Sequence, residues 1–327
     1  MHILITGAAG MIGRKLTERL VREGALNGRP IAALSLLDVV APSKPPGFAG
    51  EVRLLTADLA AEGEAARAIA ARPEVIFHLA GVVSAEAELD FDKGYHTNLD
   101  GTRALFGAIR HSGDGYRPKL VYTSSMAAYG APFPPSIPDD FHLTPLTSYG
   151  TAKAMGELLL ADYTRRGFCD GIGLRLPAIC VRPGKPNLAA SGFFSSIIRE
   201  PLAGAEALLP VAETVRHTHA SPRAAVGMLI HAAGLPRETL GPRINLAMPS
   251  VSCTVGEQIE ALRRIAGEPV AARIRRAPDA LIERIVAGWP ERADAGRARA
   301  LGFRAEDSFD EIIRIHIEDD LGGSFVA

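Results

Sequence analysis

The run His2-Ile3-Leu4-Ile5-Thr6 leads straight into Gly7-Ala8-Ala9-Gly10-Met11-Ile12-Gly13, and the reading of this junction decides the fold. A short apolar run with strand character ends in three glycines at GxxGxxG spacing, and a helical pattern over Met11–Glu23 follows. The spacing alone is a weak signal; its place between a first strand and a first helix gives it meaning. Glycine lets the backbone turn sharply there and approach a pyrophosphate, whose charge is stabilised by the helix N-terminus. Gly7, Gly10, Met11, Ile12 and Gly13 are therefore candidate dinucleotide contacts.

Outward from this turn, short apolar runs alternate with longer amphipathic ones. Ile31–Val39, Glu51–Thr56, Glu74–His78, Lys119–Thr123 and Gly171–Leu176 read as strands. Glu62–Ala71, a segment centred on Asn98–Ile109, and Ser148–Arg166 read as helices between them. That rhythm predicts an α/β fold, a Rossmann doubly wound parallel sheet with a smaller, mostly helical C-terminal substrate lobe. Pro177, Pro183 and Pro186 around Gly184 mark a loop leaving the sheet. The expected domains are residues 1–177, with a return of the chain near 211–248 (Arg243–Leu246 as a strand), and residues 178–327. In the second, helices are expected at Ser191–Arg199, ended by Pro201, and at Val255–Ile265, Leu281–Val286 and Phe309–Leu321.

Asp38 closes the second strand, where a carboxylate accepts hydrogen bonds from an adenosine ribose and repels a 2′-phosphate. No cation follows at Val39 or Val40, so NAD is expected over NADP. Asp58, followed by Leu59, is a candidate for the adenine amino group or, alternatively, a helix N-cap.

Tyr149 and Lys153 open the helix after the loop at residues 130–147. Four residues apart, phenol and ammonium share a helix face. A phenol is a poor base at neutral pH, and a nearby ammonium stabilises its phenolate. Thr123, Ser124 and Ser125 supply three hydroxyls at the end of the preceding strand, where open α/β sheets bind ligands.

Composition sets bounds. Of 327 residues, 47% are hydrophobic and 22% charged, which excludes a disordered chain. A net charge of −1 offers no basic field for nucleic acid or anionic lipid. No apolar stretch approaches the roughly 20 residues that span a bilayer, and the opening residues read as a strand and not as a leader. Three cysteines without a CxxC pair point to a reducing, cytoplasmic setting. His217 and His219 lack a neighbouring carboxylate and are read as facing opposite sides of a strand, so no metal is expected. Trp289 is expected to pack the C-terminal helices.

GAAGMIG, the strand-end Asp38, His78-Leu79-Ala80-Gly81, Asn98-Leu99-Asp100-Gly101-Thr102, TSSMAAYG and YGTAK occur in the order that resembles the extended short-chain dehydrogenase/reductase family. The resemblance is specific over residues 1 to about 185 and loose beyond. It implies Ser125, Tyr149 and Lys153 as the catalytic trio, Leu79, Ala80 and Gly81 along the cofactor, and Asn98 steadying the cofactor site. Pro177 joins the cofactor-binding candidates, and Ser84 the substrate-binding ones. Nucleotide-sugar epimerases and dehydratases of that family usually carry an Asn where this chain has Pro177-Ala178, which speaks against a nucleotide sugar. The run Leu174–Asn187 instead looks like a branch that oxidises the 2-hydroxyl of a four-carbon sugar acid with NAD. A small-molecule hydroxy acid of that kind needs a cation, and Arg182, Lys185 and Arg216 are the candidates. By analogy with the family, the helix after Asn98 and the Ser148–Arg166 helix are candidates for a homodimer interface.

Overall fold

The computed structural model describes residues 1–184 and 191–327. Its chain divides into two compact units, Met1–Ala128 with Pro145–Arg175 and Val226–Ala247, and Tyr129–Thr144 with Leu176–Ala225 and Met248–Ala327.

The first unit is built on a parallel sheet of seven strands. These are β1 (His2–Thr6), β2 (Ala33–Asp38), β3 (Glu51–Thr56), β4 (Val75–His78), β5 (Lys119–Ser125), β6 (Asp170–Leu176) and β7 (Asn245–Ala247). Their order across the sheet is β7-β6-β5-β4-β1-β2-β3, a doubly wound arrangement. Ile3, Leu4 and Ile5 are wholly buried, as a strand covered on both faces requires. Helix α1 (Met11–Glu23) follows β1, and Gly24 ends it in the left-handed conformation. Helices α2 (Glu64–Ile69), α3 (Gly101–His111) and α4 (Ser148–Arg165) complete the crossovers that matter here.

Register sets the site. Thr6 lies beside Leu37 and His78, and His78 beside Tyr122. The carboxyl ends of β1, β2, β4 and β5 are therefore level, and the segments leaving them share one edge. The helical segment around Asn98 is not one regular helix. His96–Asp100 forms a turn of π-helix before α3, with Asn98 buried in it.

In the second unit, Arg216–Ala220 pairs in parallel with Ala178–Ile179 and antiparallel with Val251–Thr254. Ala207–Leu209 pairs in parallel with Ile274–Arg276. Helices Gly192–Leu202, Val255–Ala266 and Phe309–Asp320 bury Phe194, Ile197, Leu262, Ile312 and Ile313 in a common core. Pro201 sits within the last turn of the first of these and not beyond it; near a helix end its missing N–H costs a single bond. Trp289 packs against the same core, as expected.

The expectation for His217 and His219 is corrected. Strand side chains alternate residue by residue, so positions two apart share a face. Their rings lie 5.6 Å apart, and both contact Phe194. Burial holds His217 down at about 4 and His219 well below its ordinary value, so both are neutral. Among the described residues no group of three or more His, Cys, Asp or Glu gathers as a metal-ligand set, and no helix is long and apolar enough to cross a membrane.

Phe106, from α3, packs its edge on His78 and Tyr122 and leans on Tyr163. It is 1% exposed. Phe106→Ala should cost about 3–5 kcal/mol in a urea melt, the usual penalty for emptying an aromatic-sized hole in a core.

Candidate active site

The glycine turn is closed by backbone contact. Gly7 has φ of +75°, and a Cβ at Gly13 would lie 2.2 Å from the Gly7 carbonyl oxygen. That same tightness brings the first turn of α1 to the sheet edge. Among the described residues no side chain caps that turn and no acid lies in it, so its N–H groups and dipole favour an anion. Asp38 is oriented from two sides. Its Oδ2 accepts from Ala9 N–H at 2.9 Å and its Oδ1 from Val40 N–H at 3.1 Å. The carboxylate keeps lone pairs for further donors. A pyrophosphate-and-ribose cradle is what these residues fit.

Asp58 does turn-capping work, accepting from Ala60 N–H at 2.9 Å, while its other oxygen meets His96 Nε2 at 2.8 Å. His96 escapes the sequence reading, since nothing in a lone histidine announces a partner 38 residues away. Leu59 is buried against Gly101.

Behind the strand ends, His78 is locked as a neutral imidazole. Thr102 Oγ1 donates to the Asn98 carbonyl, so it accepts from His78 Nε2 at 2.9 Å. Nδ1 is then the acceptor, and Thr6 Oγ1 donates to it at 2.8 Å. Burial, with the Lys153 charge second, pulls the His78 value down to about 3. Asn98 Oδ1 accepts from Val82 N–H at 3.0 Å and its amide donates to Val82 O, fixing the backbone just past Gly81. The space over the Gly81 Cα is bounded by Asn98 Oδ1 and Lys153 Nζ. Gly7 meets Ala80 backbone on the other side of the same segment. The turn, Leu79-Ala80-Gly81, Asn98 and Lys153 are thus close neighbours in one cluster.

Helix α4 is set against the end of β5 by a glycine. A Cβ at Gly150 would lie 2.1 Å from the Ala127 carbonyl oxygen, so the helix start presses on the chain just past Ser125. Thr147 caps it, accepting from Gly150 N–H at 3.0 Å. Lys153 is 4% exposed. Its Nζ donates to the Thr123 carbonyl at 2.8 Å and lies 5.7 Å from the half-buried Tyr149 ring. The three strand-end hydroxyls divide the work. Thr123 donates to the His78 carbonyl and Ser124 to Glu157. Ser125 accepts from Ala127 N–H at 3.1 Å, which leaves its own proton to give.

Glu157 and Arg175 are missed by the sequence reading. Arg175 chelates Glu157 through Nε at 3.0 Å and 3.1 Å and through a terminal nitrogen at 2.7 Å, with both side chains buried. An arginine inside the otherwise apolar stretch 171–176 of β6 is the signal that could have found them.

The remaining candidates are placed as follows. Ser84 opens the short helix Ser84–Leu89, and Pro177 separates β6 from Ala178–Ile179. Arg182 donates to Ile179 O and Ser191 Oγ, and Arg216 to Ser252 O and Glu257. Lys185 lies outside the described residues.

A Rossmann sheet with a glycine turn, a strand-end acid and a half-buried Tyr149 beside buried Lys153 on one helix fits a nucleotide-dependent oxidoreductase. The chain belongs to the NAD dependent epimerase/dehydratase family, whose model matches residues 3–223, and it is an NAD-dependent oxidoreductase. It is 49% identical to the D-erythronate dehydrogenase of Cupriavidus necator over 98% of each chain. It is 41% identical to the D-erythronate dehydrogenase of Haemophilus influenzae, covering 98% of this chain and 100% of that one. Among solved structures it resembles the nucleoside-diphosphate-sugar epimerase from Agrobacterium tumefaciens, with a TM-score of 0.97 and 64% identity over 99% of this chain and 95% of that one. The GalE-like L-threonine dehydrogenase of Cupriavidus necator shares the fold, at TM-score 0.82 and 23% identity over 96% and 97%.

Burial brings Lys153 from 10.5 down to about 8, with the Glu157 carboxylate opposing. Between those values the unfolded chain holds a proton that the folded chain has lost, so stability rises with pH across the window. Lys153→Met removes that dependence. Its stability relative to the parent, read as urea midpoints, should be highest below pH 8 and decline as pH approaches 10.5.

Proposed function

We propose that the chain catalyses NAD-dependent oxidation of the 2-hydroxyl of a four-carbon sugar acid, D-erythronate to 2-oxo-erythronate. What carries this reading is near full-length similarity to two D-erythronate dehydrogenases, 49% and 41% identical. The site chemistry supports it. Bound NAD supplies the acceptor for the hydride leaving C2. Tyr149 takes the hydroxyl proton as general base, and the Lys153 ammonium stabilises the phenolate it needs for that. Ser125, the one strand-end hydroxyl with its proton uncommitted, donates to the same substrate oxygen. Thr123 and Ser124 are spent on His78 O and Glu157, which favours Ser125 over Ser124.

The cofactor contacts proposed are Gly7, Gly10, Met11, Ile12, Gly13, Asp38, Asp58, Leu59, Leu79, Ala80, Gly81, Asn98, Tyr149, Lys153 and Pro177. Asp38, without a cation at Val39 or Val40, favours NAD over NADP. Ser84, Arg182 and Arg216 remain the proposed substrate contacts, the two arginines for the carboxylate. Three buried thiols suit a reducing cytoplasm. Met155 and Leu158 on α4 are exposed apolar side chains, and α3 and α4 remain the proposed homodimer face.

With a panel of four-carbon aldonates and NAD, net NADH absorbance should appear for D-erythronate. No net NADH with any hydroxy acid, together with conversion of a UDP-sugar on retained NAD, would instead establish an epimerase. Tyr149→Phe should lower kcat by about 10²–10⁴ while NAD affinity stays within a few-fold, since the phenol is one of many proposed cofactor contacts but the sole proposed base. Arg182→Met and Arg216→Met, made separately, identify the carboxylate partner as the one that raises KM for the acid.

A further inference from the structure

The mechanism asks Lys153 to stay charged in a place that disfavours charge. It is almost fully enclosed, and the groups facing it come from three strands and its own helix. His78 from β4 is neutral, and Tyr122 from β5 turns its ring face to Nζ at 5.1 Å. Tyr149 and Glu157 flank it one turn either way on α4, and Arg175 from β6 reaches it only through Glu157. Thr123 offers a carbonyl. Of these, Glu157 alone is a carboxylate.

We infer that Glu157 is a positioning residue for the reaction: held by Arg175 and Ser124, it is the buried counter-anion that keeps Lys153 protonated beside Tyr149. The inference rests on the reading of Tyr149 and Lys153 given above and deepens it. The fixing is thorough. Arg175 binds both carboxylate oxygens in fork geometry, and Ser124 donates to Oε1, so the anion is hydrogen-bonded and cannot swing towards Nζ. Glu157 therefore acts on Lys153 through space, while the Nζ proton donors remain directed at Thr123 O and the surface over Gly81. The Tyr122 ring adds a cation–π contribution, and its own hydroxyl, buried beside Glu157, is held protonated well above its ordinary value by burial. Arg175 has a second effect: its hydrogen bonds and charge permit a carboxylate to sit there ionised.

A purely structural ion pair would give the same picture, so the experiment must separate the two. The full-length chain, labelled with [13C]lysine, carries six lysines, and the Lys153 13Cε signal is assigned by its loss in Lys153→Met. Glu157→Gln, which takes the carboxylate away from Arg175, should melt lower and move the Lys153 titration midpoint down by about one pH unit. Glu157→Met with Arg175→Met replaces the pair by apolar side chains of similar size, which restores the melting temperature. In this double variant the midpoint should remain lowered, and the alkaline limb of kcat/KM should fall by the same interval. A double variant whose Lys153 midpoint matches the parent overturns the inference and leaves the pair a structural one. Because the lysine titration needs no substrate, it decides this point even if no hydroxy acid is turned over, an outcome that would remove the dehydrogenase reading instead.

Discussion

An ammonium group 4% exposed at the carboxyl edge of a parallel sheet is the constraint around which the first unit is organised. Burying a cation is costly unless charge and hydrogen-bond partners are supplied, and here they are supplied from several directions. The Thr123 carbonyl takes one Nζ proton, the Tyr122 ring lies beneath, and Glu157 provides charge. Each partner is in turn held by something else: Tyr122 by Phe106 and His78, Glu157 by Arg175 and Ser124. The site is rigid because its parts hold one another in place.

The neutral His78 fits this logic. A second cation so near Lys153 would repel it, and the hydrogen-bond arrangement forbids one. With Nδ1 accepting from Thr6 and Nε2 donating to Thr102, a proton added at Nδ1 would face a hydroxyl turned to donate. The imidazole instead serves as a spacer that ties β1, β4 and α3 together. Thr6 also accepts from Ala80 N–H, so the same chain of bonds fixes the backbone that borders Gly81. The proposed cofactor contacts and Lys153 are thereby referred to one network.

The parts of this fold that rest on local pattern were legible in the sequence. The strand-glycine-helix junction at His2–Gly13, the parallel sheet and the Tyr149–Lys153 spacing depend on neighbours within a few residues, and each appears in the structure. Parts that rest on pairing between distant elements were not. Ser125 is singled out in the sequence only by resemblance, and the bond that engages its neighbour Ser124 runs to Glu157, 33 residues on, where no local pattern points. The π-turn at His96–Asp100 interrupts what periodicity reads as continuous helix. The small strands of the second unit, two to five residues long, are too short to show an alternating pattern, and that unit reads as more helical than it is. The error over His217 and His219 is of another kind, a misapplied period, and their shared contact with Phe194 shows it.

The buried pair also bears on why an ion pair should persist where an apolar contact would serve stability as well. Arg175 and Glu157 are both buried, and replacement by hydrophobic groups is the cheaper way to fill such a space. A fixed anion offers what no apolar side chain can, a field that acts on a group it does not touch. Held in fork geometry it cannot collapse onto Lys153 and quench it, nor can it rotate into the space over Gly81. The charge on Lys153 is then set by distance and burial, two quantities the fold controls, and no direct contact is needed that a substrate would have to break. On this view the stability forgone at residues 153, 157 and 175 is the counterpart of a proton held where the chemistry requires it.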